Sequence, residues 1–208
     1  LNLHGSLLPL HRGTSPVNWA LIRDERETGL TMHYIDEGMD TGDVIFQERI
    51  PISDDDTPGT LSDSIKALAP AMIRRALKKL VDGGQLPRTP QDNSRASFSP
   101  RLRNDDLLID WRKPARTVWS FIRGTSQPGL GARARVGSSE ITLWGSLVQS
   151  GNVQSQGTAV PGTVIAADDI SIDVQCGTGI LRILRTHMQC IAGNDTLIAG
   201  TVFLPDDR

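Results

Sequence analysis

The stretch LNLHGSLLPLHRG at residues 1–13 decides how the rest of the sequence is interpreted. Leu1 and Leu3 alternate with Asn2 and His4, which is the pattern of a strand with apolar side chains on one face and polar side chains on the other. Glycine and proline then break the pattern into a loop. Since open α/β sheets bind ligands beyond the carboxyl ends of their strands, we expect the two polar side chains to face a ligand.

A second stretch, DEGMDTGDV at residues 36–44, supplies a carboxylate in a glycine-rich loop. Asp40 lies between Gly38 and Gly42, where the backbone can approach a ligand closely. An asparagine and a histidine can hold a developing oxyanion, and a nearby carboxylate can orient the histidine and help move protons. We therefore predict one site for addition to a carbonyl, made of Asn2, His4 and Asp40. Taken singly, each residue is equally compatible with a structural role.

The remaining sequence predicts an α/β part followed by a β-rich part. Residues 29–37 and 44–52 are typical of two strands, and Thr60 to Val81 has the apolar spacing of an amphipathic helix, which Pro70 should kink or split. After a short helix at 117–124, six glycine-separated strands are predicted and suggest a small barrel. They are 132–136, 140–148, 162–169, 170–176, 180–187 and 197–203.

These elements predict two domains. We assign residues 1–87 to the later part of a catalytic domain, 88–113 to a polar, proline-containing linker, and 114–208 to the barrel-like domain. The first residue is leucine inside a strand, which indicates a fragment or a trimmed chain.

Composition excludes some classes of function. A net charge of −2 and a pI near 6.1 argue against nucleic-acid binding by bulk electrostatics. The sequence contains neither a signal peptide nor an apolar run long enough to span a membrane. The two cysteines, Cys176 and Cys190, are expected to be reduced thiols of a cytoplasmic protein.

Residues 2–44 closely resemble the catalytic segment of the formyltransferases that use 10-formyltetrahydrofolate. The matching pieces follow the family's order and spacing, and Leu30 in place of valine is the one departure within them. They are Asn2-x-His4, Ser6 to Pro9, Arg12-Gly13, Thr28 to Thr31, and Asp40-Thr41-Gly42. The resemblance implies the C-terminal half of a Rossmann-like formyltransferase domain followed by a small OB-like barrel.

The resemblance also implies roles for residues. An acceptor amine attacks the formyl carbon, Asn2 and His4 stabilise the oxyanion, and Asp40 keeps His4 charged or assists proton removal. The folate pocket would be lined by Ser6, Leu7, Leu8, Pro9, Asp36, Gly38, Thr41, Gly42 and Asp43. Arg12 is assigned to the substrate, with bracing of the loop as the alternative. No metal is required.

Other histidines receive weaker assignments. His33 is expected to be structural, and alternation along its strand turns its side chain away from Met32 and Tyr34. For His11, two expectations stay open: contact with substrate from the loop, or an exposed loop histidine with no role. A metal site made of His4, His33 and Asp40 is an alternative that we discount, because the spacing matches no usual ligand pattern.

The acceptor is expected to be a small amine rather than tRNA. Residues 16–20, PVNWA, resemble the aminosugar enzymes, and residues 114–208 carry seven arginines and seven acidic residues, so their net charge is zero. An aminosugar nucleotide, hydroxyornithine or a carrier-bound amino acid would fit. Two alternatives are methionyl-tRNA as acceptor and an inactive fragment that lacks, or needs a partner to supply, the missing N-terminal half of its domain.

Overall fold

The computed structural model describes residues 1–148, 159–184, 188–192 and 197–204, without the side chains of 190–192. The chain forms two compact units. The first contains Leu1–Leu21 and Glu25–Leu102, and the second contains Ile22–Asp24 and Arg103–Arg208. Residues 88–102, expected in a linker, therefore group with the first unit. The domain limits predicted from sequence stay a prediction.

The first unit contains a three-stranded sheet in the order β1-β2-β3, whose neighbouring strands are antiparallel. Its strands are β1 (Asn2–His4), β2 (Glu27–His33) and β3 (Val44–Pro51). The register pairs Asn2 with His33 and His4 with Thr31. Because directly opposed residues in antiparallel strands project to the same face, this register brings four polar side chains to one side of the sheet.

Two helices complete the first unit's regular structure: α1 (Pro16–Ile22) and α2 (Pro58–Val81). Thr57 caps α2: its side-chain oxygen accepts from the Thr60 amide, and the side-chain oxygen of Thr60 accepts from the Thr57 amide. Pro70 lies inside α2 without splitting it, so the predicted split is wrong. Proline removes only one backbone bond, and a buried face on both sides of it supports the helix; that face contains Leu61, Ile65, Met72 and Ala76.

In the described ranges, the second unit contains α3 (Ala115–Thr125) and seven strands in two sheets. One sheet has the order β10-β5-β4 and the other β6-β9-β8-β7. The strands are β4 (Ala132–Val136), β5 (Ser139–Leu143), β6 (Leu147–Val148), β7 (Val164–Ala167), β8 (Ser171–Gln175), β9 (Ile180–Leu184) and β10 (Met188–Ala192). Within the described ranges, these two sheets do not close into one barrel.

The last predicted strand, at residues 197–203, is wrong for the part of the chain that the structure describes. Val202 forms only an isolated bridge with Thr163, and a turn at residues 199–200 with irregular backbone on either side replaces a ladder there. The glycine at position 200 has φ +90, a conformation that ends a regular strand. The end of the strand predicted at 180–187 lies outside the described residues.

A single apolar cluster forms the core of the second unit. It includes Trp111, Ile122, Leu143 and Ile183, and the ring of Trp111 stacks on Phe203 with a centroid distance of 5.1 Å. Cys176 belongs to this cluster as a free cysteine, and burial raises the pKa of its thiol to about 12. No helix in the described ranges is long and apolar enough to cross a membrane.

Candidate functional site

The register of β1 against β2 builds the first half of the site. Asn2 and His33 are directly opposed, and the Asn2 amide nitrogen, Nδ2, lies 3.1 Å from His33 Nε2. His4 follows two residues later, so its side chain projects from the same face as Asn2. Three polar side chains thus meet where β1 ends and the loop begins.

Asp40 completes the cluster from the loop between β2 and β3. Its Oδ2 lies 3.5 Å from His4 Nδ1, and its Oδ1 lies 3.5 Å from Asn2 Nδ2 and 3.6 Å from His33 Nε2. The amide of Gly13 donates to Oδ2 at 2.9 Å and fixes the carboxylate. The structure therefore brings together Asn2, His4 and Asp40, the three residues that the sequence analysis assigned to one site.

His33 lies in the same cluster, which the sequence analysis did not predict. Alternation along β2 was assigned correctly, since His33 and Thr31 share a face, but the partner strand puts that face towards Asn2 and Asp40. The rings of His33 and His4 are nearly perpendicular, with centroids 6.4 Å apart. The missing signal was the cross-strand register, which alternation within one strand does not contain.

Hydrogen bonding defines the protonation of both histidines. His4 Nε2 lies 2.8 Å from the carbonyl oxygen of His11, and His33 Nδ1 lies 2.7 Å from that of Tyr34. A carbonyl oxygen only accepts, so each of these nitrogens carries the hydrogen. The nitrogens without a hydrogen are consequently His4 Nδ1 and His33 Nε2, and both face Asp40.

The pKa of His4 is lowered from its ordinary value of 6.5. Burial is the main cause and outweighs the hydrogen bond to His11 and the attraction of Asp40, both of which raise the pKa; His33 and His11 lower it further. The resting imidazole is therefore mainly neutral near pH 7. The two roles expected of Asp40, keeping His4 charged and assisting proton removal, both stay predictions.

The amide of Asn2 is engaged inside the cluster. Its Nδ2 group donates towards His33 Nε2 and towards Asp40 Oδ1, so its amide hydrogens point into the protein. Donation to a bound oxyanion requires this amide to exchange those bonds for new ones.

The loop after β1 is tied firmly to the sheet. Thr31 Oγ1 donates to the carbonyl oxygen of Ser6 and accepts from the amide of Leu8, and Gln47 donates to the Leu8 carbonyl oxygen at 2.7 Å. The Ser6 hydroxyl is fully buried and donates to the Leu10 carbonyl oxygen. Leu7 and Leu8 are buried as well, whereas Pro9 is half-buried. Contact of these residues with folate stays a prediction.

The loop from Asp36 to Asp43 closes on itself beside the site. Asp36 Oδ1 accepts from the amide of Gly38 and from Thr41 Oγ1, and the Thr41 bond is the main cause of the lowered pKa of Asp36. A Cβ at Gly42 would lie 1.9 Å from the carbonyl oxygen of Tyr34, so only glycine fits there. The carbonyl oxygen of Asp43 accepts from the Tyr34 amide. The tight packing of this loop accounts for Gly38 and Gly42, because a Cβ at either position would clash with a neighbouring atom. Contact of the loop with folate stays a prediction.

Arg12 is buried beside Asp40 and held by two side chains from the segment after α2. Its Nε and Nη2 atoms lie 3.2 and 2.7 Å from Gln91 Oε1, and Nη2 lies 2.8 Å from Asn93 Oδ1. The amide of Gln91 in turn donates to the carbonyl oxygens of Asp40 and Gly42. The bracing role considered for Arg12 is visible in this geometry, and a substrate contact stays a prediction. The sequence analysis missed Gln91 because it lies in the predicted linker.

His11 is buried, so the expectation of an exposed loop residue is wrong. Its Nε2 lies 2.7 Å from Glu25 Oε1 and its Nδ1 lies 2.8 Å from Ser99 Oγ. No pattern near position 11 indicates this burial, because Ser99 follows 88 residues later in the chain.

Across the ranges that the structure describes, no group of three or more histidine, cysteine, aspartate or glutamate side chains is arranged to hold a metal ion. The site instead consists of hydrogen-bond donors and acceptors around one carboxylate. Such a site suits the positioning of a carbonyl compound and the transfer of a proton.

Two family models match the chain. Residues 1–77 match the formyl transferase family, and residues 101–195 match the formyl transferase C-terminal domain. A methionyl-tRNA formyltransferase from Pelotomaculum thermopropionicum is 40% identical over 201 residues, which cover 96% of this chain and 61% of the relative. The chain thus spans about three fifths of that relative's length.

Solved structures show the same fold. An N-formyltransferase from Helicobacter canadensis, in complex with folinic acid and dTDP-3-aminofucose, matches with a TM-score of 0.71 at 20% identity. The matched region covers 88% of this chain and 64% of the N-formyltransferase chain. HypX from Aquifex aeolicus, in complex with tetrahydrofolic acid, has a TM-score of 0.65 at 21% identity and covers 98% of this chain and 33% of its own.

The prediction that the acceptor is a small amine rather than tRNA is contradicted by the curated relatives. Five more of them, at 35 to 38% identity, are also methionyl-tRNA formyltransferases. The charge argument was not decisive, because a net charge of zero over residues 114–208 leaves room for a local group of basic side chains. The two matched domains and these relatives establish that the chain belongs to the formyltransferase family.

Proposed function

We propose that the chain takes part in transfer of a formyl group from 10-formyltetrahydrofolate to the amino group of methionyl-tRNA. The observation that carries the proposal is the carboxylate of Asp40 between Asn2 and His4, in a chain 40% identical to a methionyl-tRNA formyltransferase. The cytoplasmic location predicted from the reduced cysteines is part of the same proposal.

In the proposed reaction, the acceptor amine attacks the formyl carbon and forms a C–N bond and an oxyanion. The neutral Nδ1 of His4 accepts the proton that the amine loses, and Asp40, 3.5 Å away, stabilises the resulting imidazolium. The protonated Nδ1 and the amide of Asn2 then donate to the oxyanion. When the tetrahedral intermediate collapses, the C–N bond to folate breaks and the proton passes to the folate nitrogen.

The folate would occupy the space beside the two loops that meet at Asp40. The loop at Ser6–Pro9 is held by Thr31, and the loop at Asp36–Asp43 is held by Gln91, so both present fixed backbone to a ligand. The complex of HypX, a neighbour with the same fold, with tetrahydrofolic acid supports a folate as the ligand. A Rossmann-like fold for the domain to which the first unit belongs and an OB-like fold for the second unit are also parts of the proposal.

The tRNA would require basic side chains at the surface. Arg101 and Arg103 are exposed in the segment before α3 and are candidates for phosphate contacts, although Asp105 and Asp106 follow them and the total charge of the chain is negative. A local excess of positive charge suffices for phosphate contacts, because each contact acts over about a Debye length of 10 Å.

Calorimetric titration of a non-transferable 10-formyltetrahydrofolate analogue tests the donor site. We expect the chain to bind the analogue and Asp40→Asn to weaken binding, whereas Asp63→Asn, which changes an exposed carboxylate on α2, should bind like the parent. A folded chain that does not bind the analogue would contradict the proposal and support an incomplete site.

Formyl transfer to methionyl-tRNA tests the acceptor, with amino-sugar nucleotides as a parallel assay. We expect transfer to the tRNA, and we expect His4→Gln to slow it on the order of 100- to 1,000-fold, as for loss of one oxyanion donor. Transfer to the sugar nucleotides alone would overturn the tRNA assignment and leave formyl transfer intact.

A further inference from the structure

His11 is a buried titratable residue that the proposed reaction does not use. Its ring is held at both ends, with Nε2 2.7 Å from Glu25 Oε1 and Nδ1 2.8 Å from Ser99 Oγ. A carboxylate only accepts hydrogen bonds, so Nε2 of His11 carries a hydrogen and donates it to Glu25. The ring therefore acts as an anchor between two distant parts of the first unit.

The backbone of His11 needs that anchor. Its φ is +59, in the left-handed region that residues with a Cβ rarely adopt. The preceding side of the residue is also fixed, since its amide donates to Ser97 Oγ at 2.9 Å. Together these bonds hold a conformation that a free loop would leave.

This conformation directs the carbonyl oxygen of His11 at His4. The oxygen lies 2.8 Å from His4 Nε2, while Asp40 Oδ2 lies 3.5 Å from Nδ1 on the other side of the ring. Two acceptors therefore compete for the single hydrogen of neutral His4. The shorter bond to His11 keeps it on Nε2 and leaves Nδ1 with a lone pair.

We propose that His11 is a positioning residue: anchored by Glu25 and Ser99, it fixes the Nε2–H tautomer of His4 and so keeps Nδ1 able to accept a proton. The inference rests on the proposed function for the use of that lone pair. Without the anchor, the carbonyl oxygen turns away, Asp40 becomes the better acceptor, and the hydrogen moves to Nδ1. His4 can then no longer take the proton of an attacking amine.

Two-bond ¹H–¹⁵N correlation spectra of the ¹⁵N-histidine-labelled chain test the proposal without folate or tRNA. In the parent we expect His4 to show a pyrrole-type Nε2 and a pyridine-type Nδ1. We expect His11→Phe, which keeps a ring but makes neither bond, to exchange these two signatures. A parent with its hydrogen on Nδ1, or a folded His11→Phe that keeps it on Nε2, would overturn the proposal.

A graded pair at Glu25 separates positioning from loss of fold and decides the matter if His11→Phe does not fold. Glu25→Gln keeps an oxygen acceptor and should retain the parent tautomer, whereas Glu25→Ala should shift it towards Nδ1–H. Glu27→Gln is the control: it changes an exposed glutamate on β2 that pairs with Arg49 on β3, and it should leave the spectrum unchanged. Equal spectra for Glu25→Gln and Glu25→Ala would contradict the role of the anchor.

The same samples distinguish this inference from the proposed function. Titration with the folate analogue reports the donor site, and the spectra report the tautomer. A chain that shows the expected tautomers but binds no analogue would refute the proposed function alone. A chain that binds the analogue but keeps the Nε2–H tautomer in every variant would refute the positioning role alone.

Discussion

The two units of the chain differ in what they bury. The first buries polar side chains that bond to one another or to main-chain groups, among them His4, His11, Arg12, Thr31 and His33. The second buries a larger apolar cluster, and the ion pairs of Arg182 with Asp173 and of Arg133 with Glu140 lie nearer its surface. Buried polar groups must all find partners, so the first unit allows few alternative arrangements around Asp40.

This difference predicts different sensitivities to mutation. The second unit should respond to lost volume, because its stability derives from close packing. The first should respond to lost hydrogen bonds, because one unpaired buried group costs more than the bond itself gains. Three measurements test or sharpen the contrast.

The largest effect is expected from Ile122→Ala in α3. Ile122 is fully buried in the apolar cluster, and such a truncation costs about 2–5 kcal/mol of unfolding free energy. Ile170→Ala is the matched control, since Ile170 is 71% exposed and its loss should cost about 0.5 kcal/mol or less. Urea denaturation followed by tryptophan fluorescence measures both; similar losses for the two variants would contradict the assigned packing.

An intermediate effect is expected from Gln91→Leu in the first unit. The change keeps the side-chain volume approximately but removes the bonds to Arg12 and to the carbonyl oxygens of Asp40 and Gly42. We expect a loss of about 1–3 kcal/mol, as for buried polar groups left without partners. Gln85→Leu at an exposed position is the control and should have little effect. If both variants unfold at the same urea concentration, the hydrogen bonds of Gln91 do not stabilise the unit.

The smallest effect is a dependence of stability on pH. The pKa of His4 is lowered in the folded chain, so below pH 6.5 the unfolded chain binds more protons than the folded one. The free energy of unfolding therefore decreases as the pH falls, by at most about 1.4 kcal/mol per pH unit for this one group. Denaturation between about pH 7.5 and about pH 5.5, one unit either side of the histidine reference, should show a flatter dependence for His4→Gln. An unchanged slope in that variant would contradict the assignment.

Local patterns predicted the parts of the molecule that local physics determines. Alternation identified β1 and β2, and apolar spacing identified α2, because each signal lies within a few turns or residues of chain. The grouping of Asn2, His4 and Asp40 followed from strand ends and a glycine-rich loop. The motif's resemblance to a known family supplied the chemistry that spacing alone left open.

The residues that surround Asn2, His4 and Asp40 and hold them in place could not be predicted from local patterns. His33 joins the site through a cross-strand register, and His11, Arg12 and Gln91 meet partners that lie 14 to 88 residues away in the chain. The continuity of α2 through Pro70 depends on burial against the sheet, which outweighs the local preference of proline. Each of these outcomes depends on tertiary contacts that no short window of sequence contains.

The hydrogen bond between His11 and Ser99 has a consequence for how the protein is made. Ser99 also accepts from Thr14 and Ser15 through its carbonyl oxygen, so the loop after β1 rests on a segment synthesised more than eighty residues later. Until the nascent chain has emerged as far as Ser99, the loop after β1 lacks the hydrogen bonds that Ser99 makes with it. The geometry around His4 is therefore completed late in translation, only when the segment around Ser99 folds back over the loop after β1.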